Sequence, residues 1–71
     1  MASTVEVEVV GVWSDFGYDE LELEVRDPET GVFYGARTKS DLGWMLAGVV
    51  EESGPVSVVA RTEALRRLPY Q

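Results

Sequence analysis

The side chains of this sequence that could carry chemistry are almost all carboxylates. Its 71 residues contain 13 aspartates and glutamates, three tyrosines and a single lysine, Lys39, and neither histidine nor cysteine. General acid–base catalysis would have to use carboxylates that are buried or paired, whereas most acids here alternate along strand-like segments and face water. No nucleophile elbow, phosphate-binding loop or dinucleotide fingerprint is present. We predict that the chain is not an enzyme and uses no cofactor.

One acidic loop is a candidate for binding a cation. Residues 14–20 contain Asp15, Asp19 and Glu20, whose oxygens are of the kind that Ca²⁺ or Mg²⁺ prefers. Their spacing does not match an EF-hand loop, and Phe16 and Tyr18 occupy the intervening positions. We therefore predict an ordinary polar turn and no metal site, and keep the metal site as a minor alternative.

The charge of the chain is unevenly distributed. Residues 1–29 carry nine acids and one base, a net charge of −8, and residues 30–71 carry four acids and five bases, a net charge of +1. Binding to a phosphate backbone needs clustered lysine and arginine, so we predict no direct contact with nucleic acid. An acidic surface suits a basic protein partner, and the alternative is that the charge serves only solubility.

Two N-terminal segments have the apolar–polar alternation that is typical of β-strands. Residues 4–13 are apolar on both sides in their second half, which predicts a central strand. Residues 20–26 have one apolar and one charged side. Aligning the two apolar sides pairs Val9 with Val25 and Trp13 with Leu21, and brings Glu8 beside Arg26.

Residues 27–31, Asp-Pro-Glu-Thr-Gly, have the composition of a tight turn. Pro28 fixes φ at the first turn position and Gly31 tolerates a positive φ. A hairpin closed by this turn pairs Arg26 with Phe33, Leu23 with Ala36, and Glu22 with Arg37.

A helix and a last strand complete the predicted fold. Apolar residues at helical spacing predict an amphipathic helix that ends at Gly54-Pro55, with a core-facing stripe of Leu42, Met45, Leu46, Val49 and Val50. Residues 56–61 predict a strand, and residues 63–68 a short helical turn ended by Pro69. We predict one α+β domain over residues 1–71, an antiparallel three-stranded meander followed by a helix and a fourth strand. The predicted strand order is 4-1-2-3, with the fourth strand parallel to the first.

Trp44 is the strongest single candidate for partner binding. It points away from the predicted stripe, among Ser40, Ala47, Gly48 and Glu51, and small neighbours leave its ring exposed. Tryptophan is enriched where truncation costs the most binding energy. Gly43 and Gly48 weaken the helix, and close approach of another chain would explain them. The alternative is that the C-terminal residues cover Trp44.

The outer side of the sheet is the second candidate surface. It mixes glutamates with apolar residues, and such a strip suits a basic partner. Equally, the C-terminal segment with Leu65, Leu68 and Tyr70 could fold over it and bring Arg61, Arg66 and Arg67 to the glutamates. The residues of this strip are Glu6, Glu8, Val10, Val12, Glu22, Glu24 and Phe33.

These features favour a small acidic protein-binding module, with an inhibitor or antitoxin-like role on a basic surface of another protein, a nucleic-acid-binding site being one such surface. A self-assembling structural subunit, hence a homo-oligomer, is the alternative. We expect a cytoplasmic protein with no signal peptide and no membrane contact. The expected partner-binding residues are Trp44, Gly48, Glu51, Glu22, Glu24, Phe33, Val10 and Val12.

Overall fold

The computed structural model describes residues 3–70, which form one curled β-sheet and one helix. The elements in chain order are β1 (Thr4–Gly17), β2 (Glu20–Arg26), β3 (Phe33–Lys39), α1 (Ser40–Ser53), β4 (Val56–Arg61), a 3-10 turn (Thr62–Ala64) and β5 (Leu65–Arg67). The sheet has the order β4-β1-β2-β3-β5. The predicted α+β class and the order 4-1-2-3 are confirmed. Among residues 3–70, no helix has the length and apolar character needed to cross a membrane.

The predicted direction of β4 is wrong. β4 is antiparallel to β1, with Val56 opposite Val9 and Arg61 opposite Thr4. The left-handed φ of Gly54, 86°, turns the chain at the end of α1, and β4 enters the sheet at the middle of β1. From there β4 runs back along residues 4–9 of β1.

Three bulges decide which side chains of β1 face the core. The predicted pairs of Val9 with Val25 and of Glu8 with Arg26 are confirmed, but Leu21 lies opposite Asp15 and not Trp13. Each extra residue reverses the alternation of side chains between the two faces. Val12 therefore packs on the core, opposite Leu23, and not on the outer face as predicted.

The hairpin between β2 and β3 has the register that the turn and the apolar pattern predict. Arg26 lies opposite Phe33, Leu23 opposite Ala36 and Glu22 opposite Arg37. The core that this register builds with β1 consists of Val7, Val9, Leu21, Leu23 and Val25.

The sheet is curled, so that its two end strands approach each other. β4 and β5 lie at opposite ends of the strand order, yet only the three residues of the 3-10 turn join them. Four residue steps reach at most about 14 Å, whereas four neighbouring strand spacings in a flat sheet amount to about 19 Å. The two edges must therefore approach each other. The Thr62 backbone N–H donates to the Ser3 carbonyl oxygen at 3.0 Å and fastens the turn to the start of β1.

Helix α1 packs on the core side of the sheet through a different side from the predicted one. Gly43 is buried against Leu21, while Leu42 and Met45 of the predicted core stripe are 47% and 59% exposed. A Cβ at Gly43 would lie 2.5 Å from Leu21 Cδ1, so only glycine lets the helix come this close. At about 100° per residue, centring contact on Gly43 rotates the helix by roughly 90° from the predicted orientation. Val49 is turned outward with Leu42 and Met45, and Leu46 and Val50 keep their core contacts.

The C-terminal segment is a strand where a helical turn was predicted. Only Thr62–Ala64 is helical, and Leu65–Arg67 pairs antiparallel with β3, with Leu65 opposite Ala36 and Arg67 opposite Tyr34. The open edge of β3 offers backbone hydrogen bonds that an isolated turn of helix lacks, and Leu65 gains contact with the core.

Candidate functional site

The outer face of the sheet is covered by the chain's own C-terminus. The Leu68 side chain is 1% exposed, and its backbone N–H donates to the Phe33 carbonyl oxygen at 3.1 Å. The Tyr70 ring lies between Trp13 and Phe33, with centroid distances of 5.3 Å to each, and its hydroxyl donates a hydrogen bond to Glu24. The two alternatives for this face were an open docking strip and a cover formed by the C-terminal segment, and the structure shows the cover.

Glu22 is a buried residue that binds the C-terminal segment. Its carboxylate is held by Arg66, whose Nη2 and Nε donate at 2.7 Å and 3.2 Å, and the residue is only 3% exposed. The hydrogen bond to Glu22 raises the pKa of the Arg66 guanidinium above its ordinary value. Glu22, Glu24 and Phe33 thus have partners within the chain, Val10 is half-buried, and Val12 faces the core. The free strip that was expected on this face is therefore partly covered by the chain itself, and a role of these five residues in partner binding stays a prediction.

Each acidic residue of the loop binds another group of the same chain. Asp15 accepts the Gly17 N–H at 3.0 Å, Asp19 accepts the Ser40 hydroxyl at 2.7 Å, and Glu20 pairs with Arg37 at 3.2 Å. Within residues 3–70, no three carboxylates lie close enough together to hold a metal ion. The loop therefore gives the metal alternative no support.

The outward side of α1 brings the other predicted residues together. Trp44 is 51% exposed, as predicted, and no aromatic ring within residues 3–70 stacks on it. A Cβ at Gly48 would meet no atom within 4 Å, so the surface beside Trp44 is open. Apart from Leu42, seven residues between Asp41 and Glu52 are exposed, and they lie on the sides of α1 away from Gly43. We call this surface the outward helix face: Asp41, Trp44, Met45, Gly48, Val49, Glu51 and Glu52.

Sequence reasoning missed Met45, which it assigned to the core. Apolar periodicity counts glycine as a gap, although Gly43 marks the closest contact between helix and sheet. Gly43 and Ala47 are spaced i, i+4 and so lie on one side of the helix. Such a pair of small residues was the available signal that this side packs and that Met45 faces outward.

A second surface is a groove between the two ends of the curled sheet. It has a volume of about 360 Å³, and we call it the edge groove. It is lined by Leu23, residues 36–38, Leu42, Leu46, residues 58–61 and Ala64. The helix residues Leu42 and Leu46 close one side, so the groove adjoins α1 but not its outward face.

Comparison of the chain with protein-family models, with curated proteins and with solved structures finds no match.

Tyr70 gives a pH-dependent test of the C-terminal cover. Desolvation of its hydroxyl, and then the hydrogen bond to Glu24 and the charge of Glu24, raise the pKa of Tyr70 to about 12. Because the folded pKa lies above the usual tyrosine value of about 10, the stability from this contact is complete below that value. It is lost as the pH rises through about 12. In a tyrosinate absorbance titration, the component that Tyr70→Phe removes should have this high midpoint, and Glu24→Gln should lower it. A removed component that titrates at about 10 would contradict the contact.

Proposed function

We propose that this chain is a small acidic protein-binding module whose docking surface is the outward helix face. The observation that carries the proposal is the pair of large side chains there, Trp44 at 51% and Met45 at 59% exposure. The partner is a protein that offers an apolar recess to these two side chains and basic residues to the acids around them.

The side chains of the outward helix face suit a binding hot spot. Trp44 and Met45 are large apolar groups beside Gly48, which leaves a flat surface on which a partner can lie close. Tryptophan dominates the energy of many interfaces, and methionine adapts its shape to different partners. A surface helix otherwise directs polar residues to solvent, so two large apolar residues on this side favour binding over solubility.

Charge favours a basic partner. Helix α1 contains Asp41, Glu51 and Glu52 and no basic residue, and the whole chain has a net charge of −7. Such a surface attracts a basic protein and raises the association rate at low salt. The most concrete form of this role is an inhibitor or antitoxin-like protein that occupies a basic, nucleic-acid-binding site as an anionic decoy. We also propose a cytoplasmic location, because a chain without cysteine is suited to a reducing compartment.

Self-assembly is the second candidate, favoured by the exposed Val59 on β4 and by the apolar part of the outward helix face. A two-fold contact through that face would bring three acids of one copy against the same three of the other. Like charges placed together cost free energy, so a basic partner suits the helix better than a second copy does.

The test is affinity capture from a lysate of the source organism, or of its host if the gene is viral, with mass spectrometry as the readout. Four baits run in parallel: wild type, Trp44→Glu, Met45→Glu and Tyr18→Asp. Tyr18 is fully exposed outside the helix, so its acidic variant controls for added negative charge. Aspartate also tolerates the positive φ of this position, 50°.

We expect one basic protein that wild type and Tyr18→Asp retain, that both helix variants lose, and that rising salt releases. A protein retained by all four baits, or retained independently of salt, would contradict the proposal. Enrichment of the bait alone, with a solution mass above the monomer that Trp44→Glu reduces, would favour self-assembly instead.

A further inference from the structure

Among residues 3–70, both ends of the curled sheet have open strand edges, and two of these edges border the edge groove. β4 is the terminal strand at one end of the sheet, so its outer edge is open along its length. At the other end, β5 pairs only with residues 34–36 of β3, which leaves the edge of residues 37–39 open. Open edges present backbone N–H and C=O groups that are ready to pair with another strand.

The edge groove lies between these two edges. Successive side chains of a strand point to opposite faces, so a surface that touches several consecutive residues faces the edge of the strand. The groove is lined by residues 58–61 of β4 and residues 36–38 of β3, both consecutive runs. Its remaining lining is mainly apolar and includes Leu23 and Leu46. The groove therefore combines backbone pairing groups at its sides with an apolar lining.

The charge of the groove is opposite to that of the chain. The chain has 13 acids and six bases, yet the lining includes Arg37 and Arg61 and no carboxylate. Arg37 pairs with Glu20 and lies 4.2 Å above the Phe16 ring. Arg61 makes no ion pair within residues 3–70. An unpaired arginine beside an apolar groove is suited to a ligand that is both apolar and anionic.

We propose that the edge groove binds an extended peptide segment that adds as a strand along the open edge of β4. The peptide alternates apolar side chains, which enter the groove, with acidic side chains, one of which pairs with Arg61. Backbone pairing supplies the affinity and the alternation supplies the specificity. A small anionic amphiphile would leave the edge groups unpaired, so the peptide fits better. This inference does not rest on the proposed function, because it concerns another surface with the opposite charge preference.

The probe is an acetylated and amidated hexapeptide, Val-Glu-Val-Asp-Val-Glu, titrated into the isotope-labelled full chain and followed by amide NMR. We expect saturable shifts at residues 36–38 and 58–61. Two comparison peptides separate the contributions: one carries lysine in place of each acid, and the other has alternate backbone nitrogens methylated, which blocks strand pairing. Both should bind at least about tenfold more weakly if strand addition governs recognition.

A matched pair of protein variants tests the arginine. Arg61→Glu should weaken binding of the peptide by about fivefold, as expected when an exposed ion pair is lost and its charge reversed. Arg67→Glu, a change at an exposed arginine of β5 outside the groove lining, should leave the affinity unchanged.

Four results would overturn the proposal. They are the absence of shifts at millimolar peptide, equal binding of the methylated peptide, equal effects of Arg61→Glu and Arg67→Glu, and shifts confined to the outward helix face. If the amide signals of β4 shifted with protein concentration in the absence of peptide, this edge would instead be assigned to a second copy of the chain. Because Trp44→Glu leaves the groove intact, peptide binding by that variant separates this proposal from the helix-face function.

Discussion

Replacing Leu68 with alanine is expected to lower the free energy of unfolding by about 3 kcal/mol, as for other fully buried leucines. Leu68 is 1% exposed although it lies three residues from the C-terminus, and its N–H is bonded to β3. Its removal leaves a cavity under the C-terminal segment and loosens Tyr70 from Trp13 and Phe33. Urea denaturation followed by circular dichroism measures the change.

Leu42→Ala is the matched control. Leu42 has the same side chain, but in α1 it is 47% exposed, so truncation should cost less than about 1 kcal/mol. If the two variants lost equal stability, or if Leu68→Ala were neutral, the C-terminal cover would not be an integral part of the fold.

Replacing Gly43 with alanine is expected to destabilise the protein by about 1 kcal/mol. A Cβ at this position would lie 2.5 Å from Cδ1 and 2.9 Å from Cγ of Leu21, a fully buried side chain, so that the side chain or the helix must shift. Overpacking of this kind costs about 1–3 kcal/mol, while alanine regains about 1 kcal/mol of helix propensity. The net effect is a loss because the helix must shift away from the sheet.

Gly48→Ala makes the same substitution five residues further along the helix, where a Cβ would meet nothing within 4 Å. Only the propensity gain remains, so stability should rise by up to about 1 kcal/mol. Opposite signs for the two variants in the same denaturation assay confirm which side of α1 packs on the sheet. Stabilisation by both would mean that Gly43 is not in close contact with Leu21.

The parts of the fold that the sequence predicts correctly are those where two local signals agree. The turn at residues 27–31 and the alternation of β2 independently give one register, and β3 pairs accordingly. The second half of β1 has only alternation to guide it. Its three bulges carry no comparable local signal, and they move Val12 to the core and end the pairing of Trp13 with Leu21. The direction of β4 and the strand at Leu65–Arg67 depend on which edges of the sheet are open, a property of the whole fold.

The candidate site was predicted in part for similar reasons. Trp44 is exposed as its helical position predicts, because its neighbours on that side are polar or small. Met45 was missed because an apolar side chain was taken to be a buried one. The placement of Glu22 and Glu24 beneath the C-terminus depends on contacts 44 and 46 residues away in the chain, which no local pattern reports.

The most direct measurement of the central claim is the accessibility of Trp44 to acrylamide quenching in a Trp13→Phe chain, alone and with the captured protein. Trp13 and Trp44 are the two tryptophans, so this variant reports Trp44 alone. We predict that Trp44 is readily quenched in the monomer and protected in the complex. Protection already complete in the monomer, or quenching unchanged by the complex, would contradict the assignment of the outward helix face as the docking surface.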